Sequence, residues 1–362
     1  MTTTQKRAIY GLFTLSLLLA LLAAALDLVA ATRYLPASHL PMDALTTLQS
    51  IAHGLREVTL FMGFLAGGVH IVIQNDPRQA DMPLIRRLSL QMQKDKMLQI
   101  WALGLLIVVV STLAMLIMPP AAQAMLQTLR LYVGYLLAGL AIAFWLMTRF
   151  SNVVYAWALR GLRSTAVMLS AAGLLLSIAP MQPLNILLII GVPLAYMIFA
   201  AHSYRALSDP NPAKTLAAHW LALGVLLLGI GAVLATMLSL SSVQPYLTGT
   251  PWRDLQYEMM TMGLLAWVLS LLNQGVAELR AHNRRVTGFI PLWMLSASIF
   301  GGGFVLALIS VVMSYGLYVF GFSAAEIQPT LVPLYLLWVG SKLVITLGLS
   351  IYSLQFYARR LQ

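Results

Sequence analysis

Three ionisable side chains, His53, Arg56 and Glu57, interrupt the apolar run 48–73 at positions i, i+3 and i+4. In a helix that spacing puts all three on one face. Unpaired charges in hydrocarbon are costly, so the face must look inward at a charge partner, a polar cavity or a cofactor. His53 lies about seven residues into the run, roughly 10 Å deep at about 1.5 Å per residue. A neutral imidazole at that depth can ligate a heme iron, with its second nitrogen oriented by a hydrogen bond, or it can pack as an ordinary histidine bonded to a neighbour. Arg56 and Glu57 have two readings as well: an ion pair across helices or, for Arg56, the clamp on a heme propionate.

A second constellation lies in TPWRDLQYEMMTMG, where Asp254, Tyr257, Glu258 and Thr261 recur at i, i+3, i+4 and i+7. This stripe enters its apolar run from the same end as His53 and reaches a similar depth, so the two runs are expected to face each other. Met259, Met260 and Met262 supply thioethers that can ligate a soft metal or a heme but serve more often as core filler. Lys342 sits inside the last apolar run, where it must snorkel or meet a buried carboxylate. His70, His202 and His219 fall near run ends as interfacial histidines, and His39 and His282 fall in loops. No zincin, P-loop or nucleophile-elbow pattern is present, which removes the metallohydrolase, nucleotide-hydrolysing and serine-hydrolase readings. With no cysteine in the chain, thiolate chemistry and disulfides are removed too.

The elements that carry these residues follow from composition. Of 362 residues, 60% are hydrophobic and only 9% charged, which no soluble globule could cover with a polar surface. The apolar runs are about twenty to thirty residues long without period-2 alternation, so the fold class is all-α: a polytopic membrane helix bundle. Spans are expected at 8–31, 48–73, 98–118, 128–148, 164–180, 183–204, 215–240, 253–278, 288–320 and 331–357, ten in all, forming a single integral membrane domain over 1–362. The first follows Lys6 and Arg7 as in a signal peptide, yet it is long enough to cross and shows no cleavage site before Asp27. The stretch 149–163 reads as an interfacial amphipathic helix or an extension of the fifth span, and 76–96 as the longest polar loop.

Basic residues divide sharply between the two sides. The termini and even-numbered loops hold Lys6, Arg7, Arg86, Arg87, Lys94, Lys96, Arg149, Lys214, Arg284 and Arg285 among others, whereas the opposite side has little beyond Arg33, Arg130 and Arg253. The positive-inside rule then puts both termini in the cytoplasm of a cell whose inner membrane the chain spans. The net charge of +11 is distributed over span ends instead of forming one patch, so the lipid bilayer is the partner it implies, and nucleic acid is not.

Three passages resemble the catalytic subunit I of the heme-copper oxidase superfamily, nearest its nitric oxide reductase branch. AHGLREVTLFMGFLAGG followed by QADMPLIRRLSL resembles that family's second helix and the segment after it; PNPAKTLAAHWLALGVLLLGIGAV with VQPYLTGTPWRDLQYEMMTMG resembles two later helices; PLWMLSASIFGGGFVLALISVVMSYGLYV resembles the next. The resemblance implies that His53 holds the position of a low-spin heme ligand and that Arg56, Tyr257, Glu258 and Met262 border the same cofactor. The departures are specific. Where the family carries His-x-His, this chain has Gln256-Tyr257-Glu258, and no histidine occurs between His70 and His202 to build a binuclear centre. The resemblance therefore implies at most one heme b, no copper, and no oxygen or nitric oxide reduction by this chain alone. It leaves a structural, assembly or single-heme electron-transfer role beside the cytochrome or other membrane subunits of a respiratory complex. The alternative from a different class is a small-solute or ion transporter whose intramembrane path uses His53, Arg56, Glu57, Glu258 and Lys342.

Overall fold

A computed structural model describes residues 3–35, 41–75, 82–119, 122–123, 126–127, 129–150, 212–239, 243–279 and 286–358. These residues are almost wholly helical, and no strand occurs among them. The long elements are α1 (Thr3–Ala31), α2 (Met42–Asn75), α4 (Lys96–Ile117), α5 (Leu136–Phe150) continuing a π-helical segment at Leu129–Tyr135, α6 (Pro212–Ser239), α8 (Trp252–Leu279), α9 (Ile290–Tyr318) and α10 (Ala324–Ala358). Two shorter helices intervene, α3 (Leu84–Lys94) and α7 (Gln244–Leu247). Eight spans among the described residues are long and apolar enough to cross a membrane, and they coincide with eight of the ten expected. The expected spans at 164–180 and 183–204, and the stretch 151–163, lie outside the described residues.

Burial separates the spans. In α8 the most apolar window is buried throughout, whereas in α4 barely more than a quarter is. The exposed side of α4 is Leu103, Leu106, Val110, Leu113 and Leu116, which suits a lipid-facing helix because acyl chains are as apolar as leucine. A helix buried all round needs no amphipathic stripe, and so the polar residues of α8 stand out as specific contacts.

The chain divides into two compact units. One is formed by Met1–Ser16, Leu60–Leu226 and Leu264–Arg285, the other by Leu17–Thr59, Leu227–Gly263 and Val286–Gln362. In the first, the segment expected as a polar loop contains α3, whose role is to cap α2. Arg87 Nη2 donates to the Ile73 carbonyl and Gln91 Nε2 to the Val72 carbonyl, each at 2.9 Å. Those carbonyls belong to the last turn of α2, which has no helical partners of its own, and a cation there also complements the helix dipole. The polar residues of this segment that read as loop are thus partly buried by doing the work of a cap: Arg87 is 1% exposed.

Glycines set helix separation in both units. A Cβ at Gly68 would overlap the Trp101 ring, one at Gly104 the backbone of Gly134 and Ala138, and one at Gly302 the Ser341 side chain. Each of these glycines is filled against protein, which agrees with close packing by small residues.

Candidate functional site

Four charged side chains meet inside the second unit. Asp27 comes from α1, Arg56 from α2, Glu258 from α8 and Lys342 from α10. Arg56 Nη2 lies 2.8 Å from Asp27 Oδ2, and Arg56 Nη1 lies 3.6 Å from Glu258 Oε2. Lys342 Nζ lies 2.9 Å from Asp27 Oδ2 and also donates to Glu258 Oε2. Each cation therefore touches both anions, and the formal charges of the four cancel. Arg56 Nη1 donates in addition to Thr261 Oγ1 at 3.3 Å, one turn beyond Glu258 on α8.

The placement follows from the helices. Asp27 is the lone acid of a long apolar span, Lys342 the lone cation in the middle of another, and neither can reach bulk water without leaving its neighbours. Asp27 is 5% exposed, Arg56 3% and Lys342 3%. In that environment the full attraction of the pairs offsets desolvation only when geometry is good and the remaining donors and acceptors are used, which a closed four-membered arrangement achieves. Trp338, one turn before Lys342, places its ring 5.2 Å from Nζ, adding a cation–π contact. Tyr34 stacks on Tyr335 with centroids 4.6 Å apart and meets Trp338 edge-on, so an aromatic column continues from Lys342 to the 3-10 turn Thr32–Tyr34 that follows α1.

His53 stands beside this cluster with its ring against that of Tyr257, centroids 4.5 Å apart and planes at 35°. The expected approach of the two polar stripes is thus realised: Arg56 reaches Glu258 and Thr261, and His53 reaches Tyr257. Glu57 is buried at 7% exposure, whereas Asp254 is exposed. Met262 is 2% exposed, and Met259 fills the space over Gly303.

Sequence reasoning missed Asp27 as a member of the site. The signal was available: an acid inside an apolar span is as costly as Arg56 or Lys342, and the chain offers few buried acids to balance them. His70 was also misjudged as an interfacial residue. It is fully buried in the first unit, with Nε2 3.1 Å from Glu278 Oε2 and its ring edge-on to Trp145. Gln274 donates to the other Glu278 oxygen, one turn away on α8. His219 hydrogen-bonds the Thr215 carbonyl of its own helix. His39, His202 and His282 lie outside the described residues.

The residues present do not suit the heme that the resemblance implies. An axial imidazole needs a slot between its ring edge and the opposite ligand, and the His53 and Tyr257 rings are in direct contact. Arg56, the implied propionate clamp, is taken by Asp27, and Glu258 by Lys342. A cavity beside Glu258 and Lys342, lined also by Gly302, Gly303 and Ser341, has about 10 Å³, the space of roughly one water. The side chains at this site do not fit a porphyrin held between α2 and α8. Among the described residues no group of three or more His, Asp or Glu is arranged to hold a metal ion. No protein-family model matches the chain, and no curated protein matches it significantly.

Proposed function

We propose that this multi-pass membrane protein is a heme-free counterpart of heme-copper oxidase subunit I, nearest the nitric oxide reductase branch, with a structural or assembly role in a respiratory complex of the inner membrane. The observation that carries the reading is the use made of residues 257 and 258. In the Gln256-Tyr257-Glu258 stretch, where the resemblance puts His-x-His, the middle residue Tyr257 packs on His53, and Glu258, at one of the two histidine positions, joins a neutral ion cluster. The place that the resemblance would give a cofactor between α2 and α8 carries protein contacts, which supports a reading in which charge pairing, and not ligation, holds these helices. Its partners are membrane or cytochrome subunits of that complex.

The test is a reduced-minus-oxidised optical spectrum with heme and metal analysis of the protein purified in mild detergent, beside identification of the subunits that co-purify. The account expects neither stoichiometric heme nor copper, and cytochrome-bearing subunits in the pull-down. A stoichiometric heme whose spectrum is lost in His53→Ala would contradict it. The water-sized cavity at Glu258 and Lys342 favours one second reading, an ion or small-solute transporter. Solute or proton flux in proteoliposomes that Glu258→Gln abolishes would establish that reading in place of the first.

A further inference from the structure

The first unit contains a cavity of about 340 Å³ between α2, α4 and α5, in the size range of small-molecule sites. Its walls are not uniform. Leu98 and Ile142 make an apolar surface, Trp101 and Trp145 bring indole rings, and Asp95, Thr148 and Arg149 supply polar groups. The polar groups belong to helix ends: Asp95 is the N-cap of α4, and Thr148 and Arg149 lie in the last turn of α5. Consecutive membrane helices place those two ends at one face of the bilayer, and tryptophan with arginine is what the headgroup level of a membrane attracts. The cavity therefore has a polar end at headgroup depth and an apolar wall toward the acyl chains.

The two charges are of opposite sign and are not spent on each other. Among the described residues Asp95 and Arg149 form no ion pair, and Arg149 lies over the Trp145 ring at 5.3 Å. Asp95 Oδ1 accepts the Met97 backbone N–H, and among the described residues Oδ2 has no hydrogen-bond partner, which leaves it for a ligand. Trp101 is held by its own bond to the Phe64 carbonyl at 2.9 Å, so its ring is a fixed wall. A group that suits such a site carries a phosphate ester and a cationic hydrogen-bond donor a few bonds apart, attached to an apolar tail. A purely anionic headgroup would meet Asp95 as a like charge, and a quaternary ammonium has no N–H to donate.

We propose that this cavity binds the headgroup of a phosphatidylethanolamine-type lipid, its phosphate on Arg149 and its primary ammonium on Asp95; the Thr148 hydroxyl, which donates to the Trp145 carbonyl at 2.7 Å, takes no part in holding the phosphate. The lipid would fill the seam between α2, α4 and α5, with its chains on the apolar wall.

Native mass spectrometry of the intact protein in detergent tests the assignment, with phosphatidylethanolamine, phosphatidylcholine and phosphatidylglycerol of identical acyl chains. Phosphatidylethanolamine is expected to bind about fivefold more tightly than either of the others, the scale of one partly exposed charge-assisted contact. Asp95→Asn should erase that preference, and because asparagine also caps helices α4 keeps its start. Arg149→Gln should weaken all three lipids, with an unchanged melting profile as the control on folding. Equal binding of the ethanolamine and choline lipids, or a preference that survives in both variants, would overturn the proposal. So would displacement of the lipid by millimolar soluble phosphoethanolamine, which would make the site one for a soluble zwitterion.

Discussion

Arg56 and Lys342 each contact both Asp27 and Glu258, so removing any one of the four leaves an uncompensated charge in a low-dielectric interior. The cost of breaking a buried pair in this way is about 3–5 kcal/mol. Asp27→Asn is nearly isosteric and should destabilise the detergent-solubilised protein on that scale, read as a lowered melting temperature. A change under about 1 kcal/mol, the value of an exposed pair, would show that Asp27 is not buried with both cations. Three of the four members were legible in the sequence as charges inside apolar runs, and Lys342 was expected either to snorkel or to pair with a buried carboxylate. Which carboxylate was not legible, because residue type gives the need for a partner while helix adjacency decides its identity. Asp27 and Glu258 are 231 positions apart, and nothing local links them.

The spans themselves were readable because hydrocarbon thickness and backbone hydrogen bonding impose length and composition on any membrane helix. Eight expected spans match described helices. The short helix α3 was not readable as such, since the buried residues described in it are Arg87 and Gln91, polar side chains that serve as caps and so imitate a solvated loop. The mutual orientation of α2 and α8 was readable from their two polar stripes. Cysteines placed at 53 and 257 in this thiol-free chain should cross-link with a short bifunctional reagent, since the native rings touch. Failure of that pair together with its neighbours one turn away would remove the contact on which the heme argument depends.

For the whole molecule, the one-sided Lys and Arg distribution leads to an expected orientation that topology reporters can check. Fusions at Lys94 and Gly288 are expected to report cytoplasm, and fusions at Ala122 and Thr248 the opposite side. Arg149 and Lys214 should report the same side as each other, which requires an even number of crossings between them. An external signal at Lys94 would invert the orientation and move the proposed lipid cavity to the outer leaflet.

The central claim is that a closed ion cluster, in place of a ligated cofactor, joins α1, α2, α8 and α10. A double-mutant cycle on Glu258→Gln and Lys342→Met measures this most directly, by thermal unfolding of the two single variants and the double variant in one detergent. If the cluster acts as a unit, each single variant loses about 3–5 kcal/mol and the double variant loses clearly less than their sum, because the second change removes the charge that the first left unpaired. Losses that simply add would contradict the account, since Glu258 and Lys342 would then be stabilising their helices through separate surroundings.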